Sequence, residues 1–238
     1  MNTNSNTYTV LYSIGLVVVV AAVLAFVAKF LQPMQEANVK KDTISQILKA
    51  ADIKFTDNNI LETYKSNLQE AILVDVEGNK VGTLDKAKYE VYTNSQLKAE
   101  ITATSKKLPV YIFENVIVVP CYGPGLWGPI WGYIGIDKND YKTIKSVCFG
   151  HKGETPGLGA KIADDPDFAK KFVDQCVNEI ELENKTKLCF EIAKKANRQT
   201  TDHGVDAISG ATITSQALGK ALNQWLGFYQ GYLNSPNK

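Results

Sequence analysis

Between Leu11 and Ala28 the chain carries no charged side chain, and no other feature restricts its fold so strongly. The run reads Leu-Tyr-Ser-Ile-Gly-Leu-Val-Val-Val-Val-Ala-Ala-Val-Leu-Ala-Phe-Val-Ala. A bilayer core is crossed by ~20 mostly apolar residues in a helix. Val10 to Leu31 reaches that length once Lys29 extends its ammonium toward the headgroups. Tyr8, Tyr12 and Phe30 stand near the ends, where aromatic rings favour the interface. A cleaved signal peptide is the competing reading. It calls for a basic leader and a shorter apolar core, but Met1 to Thr7 holds no lysine or arginine and the run is too long. The chain therefore divides into a tail over 1–9, a transmembrane helix over 10–31, a helical connector over 32–52 and a soluble α+β domain over 53–238.

Charge places the domain less firmly. Lys29, Lys40 and Lys41 follow the span, whereas no basic side chain precedes it. Taken alone, the positive-inside tendency puts the domain in the cytoplasm. Over the whole chain 26 basic residues meet 25 acidic ones, and Arg198 is the only arginine, so no phosphate-tracking face is expected and nucleic acid is excluded as a partner. Cys121, Cys148, Cys176 and Cys189 form no C-x-x-C pair, and His151 and His203 are the only histidines. Zinc and iron–sulfur patterns are thereby excluded, and no metal site is expected. Most of the cysteines read as small buried hydrophobes, with a disulfide open if the domain faces an oxidising compartment.

Hydrophobic period supplies the remaining elements. Ile44, Ile47, Leu48 and Ala51 fall on one helical stripe. Ala71–Val76, a turn at Glu77-Gly78-Asn79 and Lys80–Thr83 read as a hairpin. Val110–Pro120, Ile130–Ile136 and Tyr141–Phe149 are further strands, the first two joined by a Gly/Pro-rich loop. Asp165-Pro166-Asp167 is a helix start, with Phe168, Phe172 and Cys176 turned inward, and not a metal site. A last helix carries Ala217, Leu218, Ala221, Leu222, Trp225 and Tyr229 on one face. No period indicates internal repeats. The expectation is an α+β fold: one N-terminal transmembrane helix, then a mostly antiparallel sheet with flanking helices.

Three segments carry chemistry. Asp206-Ala-Ile-Ser209-Gly210-Ala211-Thr212-Ile-Thr214-Ser215 leads into the last helix. Its hydroxyls can cap that helix, and the free N–H groups and positive dipole end suit a phosphate. Gly210 and Ala211 leave room for a bulky substituent on Thr212. Gly153-Glu154-Thr155-Pro156-Gly157-Leu158-Gly159-Ala160 is a defined turn presenting one sizeable apolar side chain, Leu158. Two readings of it stand: a seat for a planar ring, with Thr155 and the loop amides on its polar edge, or a surface turn with Glu154 solvated. In Gly123–Tyr133, Trp127 is the pocket candidate, while Trp131 and Tyr133 suit core filling.

With the anchor, the strings G-L-W-G-P-I-W-G-Y, H-K-G-E-T-P-G-L-G and D-x-x-S-G-A-T-x-T-S occur in an order that resembles the C subunit of the Na+-translocating NADH:quinone oxidoreductase. The resemblance covers nearly the whole chain. It implies a covalent FMN, taken from FAD by a flavin transferase and joined to Thr212 by a phosphodiester. Ser209, Gly210 and Ala211 would flank the attachment, and Asp206 would belong to the transferase's signal. Glu154, Thr155, Gly157, Leu158 and Gly159 would seat the flavin, with Trp127 near it, inside an FMN-binding part of about 110–230. The resemblance also implies a bacterial inner-membrane location with the domain on the periplasmic side, against the lysine bias. Electrons would arrive from an iron–sulfur subunit and leave to the flavin-carrying B subunit, NADH being oxidised elsewhere in the complex and quinone reduced.

The residues agree with that division of labour: no strand runs into G-x-G-x-x-G, so no nicotinamide site is expected. One uncharged helix also offers no intramembrane sodium ligand. Pro124 departs from the family, which often has a basic residue before Gly-Leu-Trp. Two alternatives share some of these features. The G subunit of the Rnf complex has the same signal and anchor but usually a shorter soluble region than the stretch from Lys40 to Pro109 provides. A non-redox anchored binding domain would use S-G-A-T only as a helix cap.

Overall fold

The computed structural model describes residues 6–182, 187–195 and 199–235. Helix α1 spans Asn6–Ala50, and the chain divides into two units, Met1–Val39 and Lys40–Lys238. In the first unit the apolar side chains from Val10 to Leu31 are exposed, Phe26 to 71%. A surface of that kind belongs in lipid rather than water. Among the described residues one helix is long and apolar enough to cross a membrane, and it is α1. Pro33 lies within it.

The second unit is built on a six-stranded sheet in the order β2-β1-β3-β4-β5-β6, every neighbouring pair antiparallel. The strands are β1 (Glu70–Val74), β2 (Lys80–Thr83), β3 (Leu108–Ile112), β4 (Val116–Pro124), β5 (Pro129–Asp137) and β6 (Ile144–His151). Where the apolar pattern suggests one strand over Val110–Pro120, there are two. Phe113 N–H donates to Val116 O across a tight turn, so Glu114 and Asn115 interrupt the run and β3 and β4 pair with each other. Gly78 closes the β1–β2 hairpin at φ +88°, a conformation glycine adopts without steric penalty.

Both faces of the sheet are covered. On one, the end of α1 places Ile44, Ile47 and Leu48 against Tyr111, Val118 and Tyr133, with Tyr64 of α2 (Ile60–Asn67) beside them. On the other lies the long helix α6 (Thr212–Leu233), whose Leu218, Leu222, Trp225 and Tyr229 pack on Val119, Cys121, Ile130 and Ile134. Trp225 Nε1 donates to Tyr122 O at 2.8 Å and Tyr229 Oη donates to Pro109 O at 2.8 Å. These bonds satisfy the polar ends of two buried rings and fix the register of the helix on the strands.

Smaller pieces complete the layer: α3 (Asn94–Thr102), α4 (Lys161–Asp164), α5 (Pro166–Lys170), the antiparallel pair β7 (Ile180–Glu181) and β8 (Lys187–Leu188), and the parallel pair β9 (Glu191–Ala193) and β10 (Gly204–Asp206). Asp165 caps α5 by accepting from Asp167 N–H, and Phe168 and Phe172 are buried as the spacing predicts. Cys176 is not on that inward face. The helix stops at Lys170, and Cys176 sits half-buried, bridged to Thr143. All four cysteines are free thiols, Cys121 and Cys189 fully buried.

Candidate functional site

Gly210 shapes the entry to α6. It sits at φ +79° in a turn closed by Ala211 N–H to Ile208 O at 3.0 Å. A side chain there would be strained and would approach Leu158 Cδ2 at 3.3 Å. The expected hydroxyl caps do not form: Ala211 is the N-cap residue and no side chain caps the helix. Ser215 instead holds the turn, accepting from Ile208 N–H at 3.0 Å and donating to Ala211 O at 2.9 Å. The first N–H groups of α6 are therefore left without the usual side-chain acceptor, and no acidic residue stands in its first turn.

The Gly153–Ala160 loop leaves β6 at His151, whose Nδ1 accepts from Glu154 N–H at 3.2 Å. Leu158 and Ala160 N–H groups both donate to Thr155 O, and Gly157 takes φ +76°. Glu154 is not solvated, as a plain surface turn would leave it; it is 4% exposed. Its Oε1 accepts from the N–H groups of Leu126 at 2.8 Å and Trp127 at 3.0 Å. Its Oε2 accepts from Thr214 Oγ1 at 2.7 Å. One carboxylate thus ties the β4–β5 loop and the start of α6 to its own loop.

Around that junction opens a cleft of about 410 Å³, within the ~300–1,000 Å³ common for small-molecule sites. Of the residues singled out from the sequence, Trp127, Glu154, Thr155, Leu158, Gly159, Gly210, Ala211 and Thr212 line it. Gly157, Ser209 and Asp206 do not; Asp206 ends β10, paired with Ala193. Four further residues line the cleft: Leu126, Ile213, Thr214 and Lys194. The first three lie inside the motif strings and were within reach of the sequence. Lys194 follows β9 and arrives only through the parallel pairing with β10, for which the local sequence has no signal. A larger cleft of about 760 Å³ elsewhere is lined by Asp52, Glu114, Asp137 and their neighbours and contains none of the motif residues.

The cleft suits FMN on its own features. Leu126, Trp127, Leu158 and Ile213 are large apolar side chains, each at least 46% exposed, gathered on one cleft where a flat ring would cover them. The free amide end of α6 and Lys194 offer partners for a phosphate. Thr212 is half-buried at the cleft, whereas Thr214 is 2% exposed and committed to Glu154. Trp131 is half-buried with Nε1 on Gln46, and Tyr133 is 1% exposed in the core.

Residues 125–227, which hold this cleft and its loops, match the family described as FMN-binding domain, and that places the domain in a flavin-binding class. Wider comparison extends the likeness beyond that region. The chain is 28% identical to the C subunit of the Na(+)-translocating NADH-quinone reductase of Haemophilus ducreyi, over 94% of this chain and 90% of that protein. It is 28% identical to the C subunit of the same reductase from Neisseria meningitidis, over 98% and 93% respectively. The solved structure of the C subunit from Parabacteroides distasonis superposes with a TM-score of 0.72 at 30% identity, covering 87% of this chain and 98% of that one. The chain belongs to the family of Na(+)-translocating NADH-quinone reductase C subunits.

Proposed function

We propose that this chain is an electron-carrying subunit of a membrane Na+-translocating NADH:quinone reductase, with FMN joined covalently to Thr212. In that reading Thr212 Oγ forms a bond to the FMN phosphorus of FAD, AMP leaves, and the hydroxyl proton passes to solvent. Bound there, FMN supplies one- and two-electron redox chemistry. The chain's residues supply position and solvent access. Leu126, Trp127, Leu158 and Ile213 would wall the ring, Thr155 and the loop amides would serve its polar edge, and the first N–H groups of α6 with Lys194 would hold the phosphate, since all but the amides line one cleft. Helix α1 anchors the chain in the bacterial inner membrane. Its partners are an iron–sulfur subunit as donor, the flavin-carrying B subunit as acceptor, and a flavin transferase during maturation.

The observation that carries this reading is the contrast between two threonines two positions apart. Both line the cleft, but Thr214 commits its hydroxyl to Glu154, whereas half-buried Thr212 makes no such bond to that carboxylate. The test is to express the chain with its flavin transferase and denature it. The parent shows flavin fluorescence in a denaturing gel and an FMN-sized mass increment. Thr212→Ala loses both and Thr214→Ala keeps them. Covalent flavin persisting in the Thr212 variant would refute the assignment.

A further inference from the structure

Glu154 is a buried carboxylate that, among the described residues, forms no ion pair with any cation. Lys194 shares its cleft but is exposed. Burying such a charge is costly unless hydrogen bonds replace its water, and three do. All three donors come from other parts of the chain: two backbone amides of the loop carrying Trp127, and the side chain of Thr214 in the first turn of α6. Glycines complete the cage. A Cβ at Gly125 would lie 2.6 Å from Oε1, and one at Gly159 would lie 2.5 Å from Oε2. The carboxylate is thus hemmed in and already engaged, rather than free to turn onto a ligand.

A neutral glutamine could keep these connections. Its carbonyl can accept from both amides, and its NH₂ can donate to Thr214 Oγ once that hydroxyl turns. Geometry alone therefore does not require a charge here, and the charge has its own consequence. Reducing a flavin adds negative charge to the ring, which a fixed anion in a poorly solvated wall opposes.

We propose, building on the flavin reading above, that Glu154 is the positioning residue of the site: its carboxylate staples the Trp127 loop to the start of α6 and keeps the potential of the seated flavin low. The two parts separate by substitution in the full chain, expressed with flavin transferase and purified in detergent. Glu154→Gln retains the covalent flavin and the parent's iodide quenching of flavin fluorescence, but its midpoint potential moves positive. Glu154→Ala also moves positive, and in addition iodide quenches its flavin several-fold more strongly because the walls are released. In the unflavinylated chain labelled with ¹⁵N-tryptophan, the Trp127 backbone amide, assigned with Trp127→Phe, moves upfield in Glu154→Ala and much less in Glu154→Gln.

An unchanged potential in Glu154→Gln overturns the charge role. Parental quenching together with an unmoved Trp127 amide in Glu154→Ala overturns the staple. Should the parent carry no covalent flavin, the Thr212 assignment fails instead, and the amide measurement still decides the staple.

Discussion

At the scale of single residues, the site depends on side chains whose neighbours are missing as much as on those present. Gly159 has no side chain where one would strike both Glu154 Oε2 and, at 2.7 Å, Thr214 Oγ1. Neither atom can retreat without giving up its hydrogen bond to the other. Gly159→Ala is expected to lower stability by about 1–3 kcal/mol, as overpacking does, measured by urea unfolding of the flavin-free protein. Gly157→Ala is the control. Its Cβ meets nothing within 4 Å, so its cost is the backbone strain of φ +76° alone, about 1–2 kcal/mol. If Gly159→Ala costs no more than Gly157→Ala and leaves the Thr214 bond intact, the cage is looser than these distances require. The sequence announces these glycines, since two of them flank Leu158 in a turn, but not what they make room for. The partner of Glu154 lies 60 positions away, and nothing in either segment names the other.

The elements show where local pattern suffices. The apolar stripe of α6 is legible because its period follows from one helix lying on one sheet face, and Leu218, Ala221, Leu222, Trp225 and Tyr229 are all buried. The central strands are equally legible as apolar runs, because both faces of the sheet are covered, except where Phe113 keeps the hydrophobic run going through a reversal of direction. Hydrophobicity reports burial, and a buried turn residue looks like a strand residue. The short pair β9 and β10 is invisible for a related reason: three residues each, joined by a long excursion, give no period to count. That pair brings Lys194 to the cleft. Helix α6 joins a structural face to a functional end, and the two should separate under mutation. Trp225→Ala removes a fully buried indole and its bond to Tyr122 O. It is expected to cost about 3–5 kcal/mol. Ile213→Ala, at a side chain 61% exposed, should change stability by only about 0.5 kcal/mol or less while raising iodide access to the flavin. Thermal melts of the two variants beside flavin quenching check the split; a large stability loss in Ile213→Ala would show that this turn belongs to the core.

For the whole molecule, α1 is a candidate membrane span, and an anchor there puts the second unit on one face of the bilayer or the other. Charge near the span gives one answer, since Lys29, Lys40 and Lys41 all follow the apolar run. That rule is strongest for short loops, however, and a long domain translocates largely regardless of it. Four unpaired cysteines also look cytoplasmic at first sight, because an oxidising compartment favours disulfides. Burial answers that objection. Cys121 and Cys189 lie in the core with their thiols pushed up to about 12, and burial pushes Cys148 up to about 11. With pKa values so far above neutral, these three thiols hold almost no thiolate at physiological pH, and thiolate is the form that makes disulfides, so they survive unpaired on either side. For the same reason a thiol-directed label reports burial here rather than topology, and a protease is the better probe. The expected outcome is that protease added to intact spheroplasts degrades the domain while a cytoplasmic marker survives, which would put the domain on the periplasmic face. Protection in spheroplasts, lost only on lysis, would mean that the three lysines set the orientation after all.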